Sequence, residues 1–169
     1  MMAKENKIFD VIIIGSGIAG ISLASKLSSD LSVCVIEKEK LLSYHSTGRS
    51  FAFYIESYGN ETIRKLTKAS KNYFLQNNNI NSRKLLNKRG ALYVANHNQI
   101  NSRNNLYNEL DSPLIKILDK KQTLEKLPCL KEDYVNSSLY DLEASDIDVD
   151  LLYNTYLKKF KNTKGVVLT

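Results

Sequence analysis

A short apolar run that ends in a glycine-rich turn constrains the fold of this chain more than any other stretch. Residues 11–14 are all β-branched, which predicts a fully buried strand. Gly15 and Gly17 follow directly, and residues 18–29 have the apolar spacing of a helix. A strand, a G-x-G-x-x-G turn completed by Gly20 and a helix, in this order, predict a dinucleotide-binding fold.

Each glycine of this turn has its own physical role. Gly15 makes the tight turn, Gly17 lets the backbone approach a pyrophosphate, and Gly20 lets the helix pack closely on the strand. The start of the helix also presents N–H groups and the positive end of the helix dipole. These features together predict that the turn binds an anionic pyrophosphate.

An acidic residue stands where the second half of such a motif requires one. Residues 31–36 predict a second buried strand, and Glu37 stands at its end. A carboxylate there accepts hydrogen bonds from both ribose hydroxyls of an adenosine, and it repels a 2′-phosphate. The sequence therefore favours NAD or FAD over NADP. The alternative is that Glu37 is one solvated charge in the alternating run 37–40.

Composition and charge disfavour several other classes of function. The chain has 169 residues, of which 43% are hydrophobic and 25% are charged, as is typical of a globular domain. The net charge is +6, but the basic residues are scattered and do not alternate with aromatic residues, so we expect no nucleic-acid partner. Cys34 and Cys129 lack metal-ligand spacing, so we expect no metal, and Cys34 is predicted to be a buried, inert thiol.

The amino-terminal region resembles the first part of a signal peptide, because basic residues precede the apolar run. The run breaks at Gly15, however, and it is much shorter than a membrane span. No other stretch is long enough, so we expect no transmembrane segment. The free cysteines are typical of a reducing compartment, and we expect a cytoplasmic protein that is open to peripheral contact with the inner face of the membrane.

A polar segment at residues 41–50 follows the second strand. It places hydroxyls, a glycine and an arginine close together, which suits a loop that binds an anion or the edge of a cofactor. The same composition is also typical of an ordinary turn. His45, in this segment, has no evident carboxylate or cysteine partner in the sequence, so alone it indicates no catalytic role.

Six sequence blocks together resemble one family. The blocks are VIIIGSGIAGISLASKLS, VCVIEKE, YHSTGRS, SYGNETIRKLTKAS, RGALYV and SDIDVDLLYNTYLK. In this order they resemble the D-amino-acid oxidase and dehydrogenase (DAO) family of FAD-dependent oxidoreductases, and within it the D-arginine dehydrogenase-like members. The resemblance runs from about Phe9 to the last residue. Many families share the glycine motif, whereas the HSTGRS block joined to it is far more selective.

The resemblance implies an enzyme with FAD as its cofactor. The implied reaction is oxidation of an amine or a hydroxy acid, most simply an amino acid, by hydride transfer to FAD. The implied partners are this small-molecule substrate and an electron acceptor. Two alternatives stay open at this point. An NAD-dependent Rossmann dehydrogenase would share the glycine motif but would not explain HSTGRS, and a flavin-binding fragment could lack catalysis.

The resemblance also assigns roles to individual positions. The three motif glycines would line the pyrophosphate, Glu37 would hold the ribose, and the HSTGRS block would extend towards the flavin. The implied cofactor-binding residues are Gly15, Gly17, Ile18, Ala19, Gly20, Glu37, Lys38, His45, Ser46, Thr47, Arg49 and Ser50.

One residue is implied to face the substrate, and two others depart from the pattern of D-arginine dehydrogenase-like members. Tyr58 matches a substrate-facing tyrosine, although it is equally an aromatic that caps the next helix. Phe53 stands where such members have a histidine near the flavin, and Ala91 stands where they have a carboxylate for a cationic side chain. Because an unpaired buried cation is costly, we do not carry over specificity for arginine.

The predicted fold class is α/β, with a Rossmann-like FAD-binding βαβ unit and the beginning of an inserted α+β substrate domain. We expect the amino-terminal part of the FAD domain at residues 8–60, the start of the substrate domain at 61–147, and a helix and strand returning to the FAD domain at 148–169. Members of the family are about twice as long, so we expect this chain to be an amino-terminal fragment that is unstable alone and weakly active or inactive.

Local patterns predict the elements of the middle and the end of the chain. A helix capped by Asn60 would run to about Gln76 and pack one face into the core, and residues 85–94 would form a hairpin. The residues of that helix face would be Ile63, Leu66, Ser70, Tyr73 and Phe74. The other predicted elements are helices at 98–110, 122–127 and 149–160, and strands at 114–118, 138–142 and 165–169. The acids at 146, 148 and 150 lack the glycine of a calcium loop, so Asp148 is predicted to cap a helix.

Overall fold

A computed structural model, which describes residues 7–80, 82–163 and 165–169, shows strands and helices mixed along the chain. The strands are β1 Val11–Ile14, β2 Val33–Ile36, β3 Phe53–Tyr54, β4 Leu86–Lys88, β5 Ala91–Ala95, β6 Ile115–Asp119, β7 Ser137–Asp141, β8 Ser145–Ile147 and β9 Val166–Leu168. The α-helices are α1 Ile18–Leu27, α2 Glu61–Gln76, α3 Ile100–Leu110, α4 Lys120–Lys126 and α5 Val149–Asn162. The predicted α/β class is confirmed.

The chain divides into two units. The first contains the residues up to Ala52, Asn79–Leu85 and Asp148–Thr169, and the second contains Phe53–Asn78 and Leu86–Ile147. The second unit thus begins before residue 61, because β3 pairs with β8. The strands β3 and β8 themselves were absent from the sequence-based prediction, since each is too short to carry a periodic pattern.

The first unit is a parallel sheet with the strand order β1-β2-β9. Helices α1 and α5 pack against each other and cover one face of this sheet. The core beneath them includes Ile13, Val35 and Ile21, with the fully buried ring of Phe160. Parallel strands need crossover connections, and α1 supplies the connection between β1 and β2.

The prediction that β1 is fully buried is wrong. Ile12 is 57% exposed and Ile14 is 90% exposed, whereas Ile13 between them is buried. Successive side chains of a strand point to opposite faces, and among the described residues the helices cover only the face that carries Ile13. Cys34 is buried in β2, as predicted.

The second unit contains two antiparallel sheets, with the strand orders β3-β8-β4 and β5-β7-β6. The predicted hairpin at 85–94 is wrong, because β4 pairs with β8 and β5 pairs with β7. The N–H groups of Arg89 and Gly90 both donate to the carbonyl of Ala144, at 3.1 and 2.9 Å. These bonds hold the turn against the β7–β8 connection, so β4 and β5 enter different sheets.

The predicted buried face of α2 is also wrong. None of the described residues of α2 is buried; Ile63 is 43% exposed and Leu66 is 61% exposed. Tyr73 and Phe74, which belong to the same predicted face, are partly buried, and the ring of Phe74 meets that of Tyr54 at a centroid distance of 5.5 Å. The hydroxyl of Tyr54 also donates to the carbonyl of Thr67 at 3.3 Å. The partly buried residues of α2 also include Arg64, Thr67 and Lys71, which apolar periodicity does not register.

Asp148 caps α5, which confirms the prediction. Its Oδ1 accepts from the N–H of Leu151 at 2.9 Å. Arg83 binds the same carboxylate through Nε and Nη2 and reaches Asp150 through Nη1. The two acids therefore serve the helix start and an ion pair, and no cluster of metal ligands is found among the described residues.

The remaining predicted helices and strands are present with small shifts of their ends. The shift at α4 has a local cause, because Asp119 caps the helix by accepting from the N–H of Gln122, and α4 therefore begins at Lys120. Within the described part of the chain, no helix combines the length and apolarity that crossing a membrane requires.

Candidate functional site

The glycine turn between β1 and α1 has a backbone that only glycine accommodates at two points. Gly15 has a φ of +98°, in the region that L side chains rarely adopt, and its N–H donates to the carbonyl of Ile36 at 2.7 Å. A Cβ added at Gly20 would lie 2.0 Å from the carbonyl oxygen of Gly15. The turn is therefore tied to β2 on one side and closely packed on the helix on the other.

The start of α1 is left open to an anion. Gly17 caps the helix with extended backbone and no side chain, and the first turn contains no acidic residue. Thr47 lies over this end, and its Oγ1 accepts from the N–H of Ile18 at 3.0 Å. A Cβ at Gly17 would come within 3.3 Å of the same Oγ1. The positive end of the helix dipole thus meets backbone donors and one hydroxyl, a combination that favours phosphate.

Glu37, at the end of β2, is held by a set of hydrogen bonds. Its Oε2 accepts from the N–H of Ser16 at 2.9 Å and from the hydroxyl of Ser16 at 2.5 Å. Its Oε1 accepts from the N–H groups of Lys38 and Glu39, at 2.7 and 3.0 Å. The Ser16 hydroxyl, together with these backbone donors, lowers the pKa of Glu37 to about 2. The carboxylate is therefore ionised and fixed beside the glycine turn.

The polar segment after β2 folds back over the turn. His45 Nε2 lies 2.9 Å from Glu39 Oε1, so the histidine has a carboxylate partner that the sequence-based analysis missed. The guanidinium of Arg49 lies 4.8 Å from the centre of the Tyr44 ring. A Cβ at Gly48 would lie 2.5 Å from the carbonyl oxygen of Ser43, so a tight loop closes here. Local folding, rather than sequence adjacency, brings Glu39 to His45.

A cleft of about 250 Å³ joins these parts in the first unit. Six of the predicted cofactor-binding residues line it, namely Gly15, Gly17, Glu37, His45, Ser46 and Thr47. Ile18 and Gly20 shape the turn beside it through the contacts given above. The side chains of Ala19, Lys38, Arg49 and Ser50 are exposed and are not part of its lining.

Two residues that support the turn were missed by sequence reasoning. Ser16 is fully buried and binds Glu37, and its carbonyl accepts from the hydroxyl of Tyr153 at 2.8 Å. Burial raises the pKa of Tyr153, so this hydroxyl stays protonated and donates. Tyr153 lies in α5, far along the sequence from the turn. The sequence signal for its role was its position as a tyrosine on the inward face of an amphipathic helix.

Tyr58, the predicted substrate-facing residue, belongs to the second unit and is 65% exposed. Its neighbour Ser57 is buried and lies in a polar network, donating to Asp141 Oδ2 at 2.5 Å and lying 2.8 Å from the hydroxyl of Tyr93. Burial raises the pKa of Tyr93. The assignment of Tyr58 to substrate stays a prediction.

The residues of the cleft fit the chemistry of FAD. Pyrophosphate requires close backbone approach and N–H donors, which the glycine turn and the start of α1 provide. The ribose of adenosine requires a hydrogen-bond acceptor for its hydroxyl groups, and the carboxylate of Glu37 provides one. Both carboxylate oxygens already accept two hydrogen bonds, so a ribose hydroxyl must replace one donor. The Ser16 hydroxyl, which can rotate, is the donor most easily displaced.

Three solved structures that this chain resembles in fold are named as oxidases or a dehydrogenase, and each is about twice the length of this chain. An FAD-bound L-α-glycerophosphate oxidase from Mycoplasma pneumoniae matches with a TM-score of 0.80 and 20% identity over 96% of this chain and 45% of its own. A glycine oxidase from Bacillus cereus matches with a TM-score of 0.76 and 16% identity, over 95% and 47%. An L-proline dehydrogenase from P. horikoshii matches with a TM-score of 0.71 and 19% identity, over 93% and 42%.

A family model provides the decisive comparison. The model described as DAO, FAD dependent oxidoreductase, matches residues 10–169, which is nearly the whole chain. The match therefore includes the glycine turn, Glu37 and the HSTGRS block. The finer resemblance to D-arginine dehydrogenase-like members stays a prediction. The chain belongs to the DAO family of FAD dependent oxidoreductases, and its cofactor is FAD.

Proposed function

We propose that this protein takes part in oxidising an amine or a hydroxy acid, and that an amino acid is the preferred substrate. The observation that carries the proposal is the set of Glu37, Thr47 and the open start of α1 around one cleft. Solved structures of the same fold include a glycine oxidase and an L-amino acid deaminase from Proteus vulgaris, which supports an amino acid. The family match disfavours an NAD-dependent dehydrogenase.

The residues of the first unit would hold the cofactor. Gly15, Gly17 and the start of α1 would bind the pyrophosphate, and Glu37 would accept from the ribose hydroxyls. The hydroxyl of Thr47 would stay at the helix start. When bound, FAD supplies an acceptor for the hydride that leaves the substrate carbon, while the substrate nitrogen or oxygen loses a proton. The proposed partners are therefore the substrate and an electron acceptor.

The remaining predicted residues would extend this site. His45, Ser46, Arg49 and Ser50 would continue towards the flavin end, and Ile18, Ala19 and Lys38 would border the phosphates and ribose. Tyr58 would face the substrate. Because the chain spans less than half the length of the solved structures that it matches, turnover, substrate choice and the electron acceptor belong to this proposal. A cytoplasmic location is likewise proposed.

Titration of the chain with FAD tests the cofactor site. We expect saturable quenching of flavin fluorescence, and we expect Glu37→Gln to weaken binding roughly tenfold, because it removes a charged acceptor of ribose hydroxyls. Glu125→Gln, which removes an exposed carboxylate from α4, should leave the affinity unchanged. Equal affinity of the wild type and Glu37→Gln would contradict the assignment of Glu37.

Turnover is measured separately with a panel of amino acids and hydroxy acids and an artificial electron acceptor. Oxidation of an amino acid supports the preferred substrate class, and oxidation of hydroxy acids alone would overturn that preference. Saturable FAD binding without any turnover would make the chain a non-catalytic flavin-binding fragment. The two measurements therefore separate a failed cofactor assignment from a failed substrate assignment.

A further inference from the structure

The second unit contains a cavity of about 440 Å³ that is lined by α2, the end of α3 and residues of β6 and β7. Its lining includes none of Phe53, Tyr58 and Ala91, the positions that the family resemblance associates with the flavin or the substrate. It also shares no residue with the cofactor cleft of the first unit. The volume is sufficient for a small organic molecule.

A buried carboxylate lies in this lining. Asp141 is 3% exposed; its Oδ1 accepts from the N–H of Glu143 at 3.0 Å, and its Oδ2 accepts from the hydroxyl of Ser57 at 2.5 Å. Because Ser57 donates its one hydroxyl proton to Asp141, the hydroxyl of Tyr93, 2.8 Å away, donates to Ser57. Asp141 is thus held by neutral donors, and it forms no ion pair within the described part of the chain.

The other carboxylates of the lining have cationic partners. The four ion pairs are Glu56 with Lys71, Glu61 with Lys65, Glu109 with Arg64, and Glu143 with Lys88. Lys68 lines the cavity outside these pairs, but its side chain is exposed. Water screens an exposed charge far more strongly than a buried one. The cavity therefore presents the negative charge of Asp141 without an equivalent buried positive charge.

The chemistry of Asp141 favours an ammonium group as the ligand. Each oxygen of a carboxylate has two lone pairs, and each oxygen of Asp141 accepts one hydrogen bond from the protein, so both can accept another. A buried charge is costly until a counter-charge pairs with it. Leu110, Leu114 and Ile115 add apolar surface to the lining, which suits the methylene groups of an alkyl chain.

We propose that this cavity binds a short aliphatic diamine, with its inner ammonium group at Asp141. The methylene groups lie against Leu114 and Ile115, and the outer ammonium group lies towards the exposed carboxylates of Glu61 and Glu109. The inference goes beyond the proposed function, because it concerns binding in the second unit alone, needs no flavin and involves no oxidation of the diamine.

Calorimetric titration of the chain with putrescine tests this site, with butanediol as a neutral ligand of the same carbon chain. We expect saturable binding of putrescine and at least roughly tenfold weaker binding of butanediol, because only an ammonium group offsets the charge of Asp141. Absence of saturable putrescine binding, or equal affinity for the two ligands, would overturn the proposal.

Substitution of the buried acid locates the binding. Asp141→Asn keeps an acceptor for the N–H of Glu143 but removes the charge, so it should weaken putrescine binding about tenfold. Asp133→Asn removes an exposed carboxylate outside the lining and should leave the affinity unchanged. Circular dichroism checks that both variants are folded. Equal affinities of the two variants would contradict the placement at Asp141.

A second substitution tests the charge of the cavity without touching a buried group. Lys68→Gln removes an exposed cation from the lining, so putrescine should bind about twofold to threefold more tightly. Lys121→Gln removes an exposed cation of α4 outside the lining and should have no effect. Loss of structure does not strengthen binding, so a gain is specific to charge. Weaker or unchanged binding in Lys68→Gln would overturn the proposal even if Asp141→Asn does not fold.

The same samples are titrated with FAD. Lys68→Gln should keep the wild-type affinity for FAD, because Lys68 belongs to the second unit and the cofactor cleft belongs to the first. Putrescine binding without FAD binding would refute only the cofactor assignment, and FAD binding without putrescine binding would refute only this inference. Oxidation of putrescine by the FAD-loaded chain would make it a substrate and would also overturn the inference.

Discussion

At the scale of single residues, Glu37 carries the strongest electrostatic constraint of the first unit. One hydroxyl and three backbone N–H groups bind its carboxylate. The bonds link the end of β2 to the glycine turn, so the residue that would hold ribose also stabilises the loop that would hold pyrophosphate. Binding and local stability therefore depend on the same charge.

The pH dependence of stability should reveal this charge. The folded pKa of Glu37 is about 2, below its ordinary value of 4.5, so the carboxylate stabilises the fold fully above pH 4.5. The contribution is lost as the pH falls from 4.5 towards 2. We expect the free energy of unfolding of the wild type to exceed that of Glu37→Gln by a constant amount above this range and by less within it.

Urea denaturation followed by circular dichroism at a series of pH values measures this difference. Glu125 is an exposed carboxylate of α4, so Glu125→Gln reports the effect of removing a carboxylate charge alone. If the difference in the free energy of unfolding between the wild type and Glu37→Gln stays unchanged down to about pH 2.5, the linkage is contradicted.

At the scale of elements, the starts of α1 and α5 have different roles in the first unit. The open start of α1 is directed at the cofactor cleft, whereas the start of α5 is closed by Asp148 and braced by Arg83. The backbone N–H of Asp148 also donates to the carbonyl of Leu85 at 2.9 Å. This cluster joins Asn79–Leu85 to α5, which explains why that segment belongs to the first unit.

Substitutions at the cap of α5 should separate these two roles of Asp148. Asp148→Ala removes both the cap and the ion pair and should lower the free energy of unfolding by about 1–2 kcal/mol. Asp148→Asn keeps a good cap and loses only an exposed ion pair, so its cost should be about 0.5 kcal/mol. Thermal denaturation measures both, and equal costs would show that the cap contributes nothing.

At the scale of the whole molecule, one face of the parallel sheet is apolar and open in the described structure. Ile14, Ile36 and Leu168 lie side by side in register on this face and are all exposed. Contiguous exposed apolar surface promotes association. We therefore expect copies of the chain to associate through this face in solution.

Replacing Ile14 should reduce association at little cost in stability. Ile14 is exposed in β1, so Ile14→Thr keeps a β-branched side chain and should change the free energy of unfolding by about 0.5 kcal/mol or less. Light scattering should show fewer large particles than in the wild type at equal concentration. Ile13→Thr is the matched control, because it buries a hydroxyl in the core and should destabilise the chain by about 2 kcal/mol. Unchanged scattering for Ile14→Thr would contradict this role of the face.

The sequence alone determined the features that local chemistry controls. The strand, glycine turn and helix at 11–27 and the caps at Asn60 and Asp148 were predicted, because each depends on residues close in sequence. The family was predicted from six sequence blocks spread along the chain. Only the tertiary structure decided which face of α2 lies inwards, why β4 and β5 pair with different partners, and which donors hold Glu37. These outcomes depend on contacts between distant segments, such as Tyr54 with Phe74 and Gly90 with Ala144, whose energies no local pattern encodes.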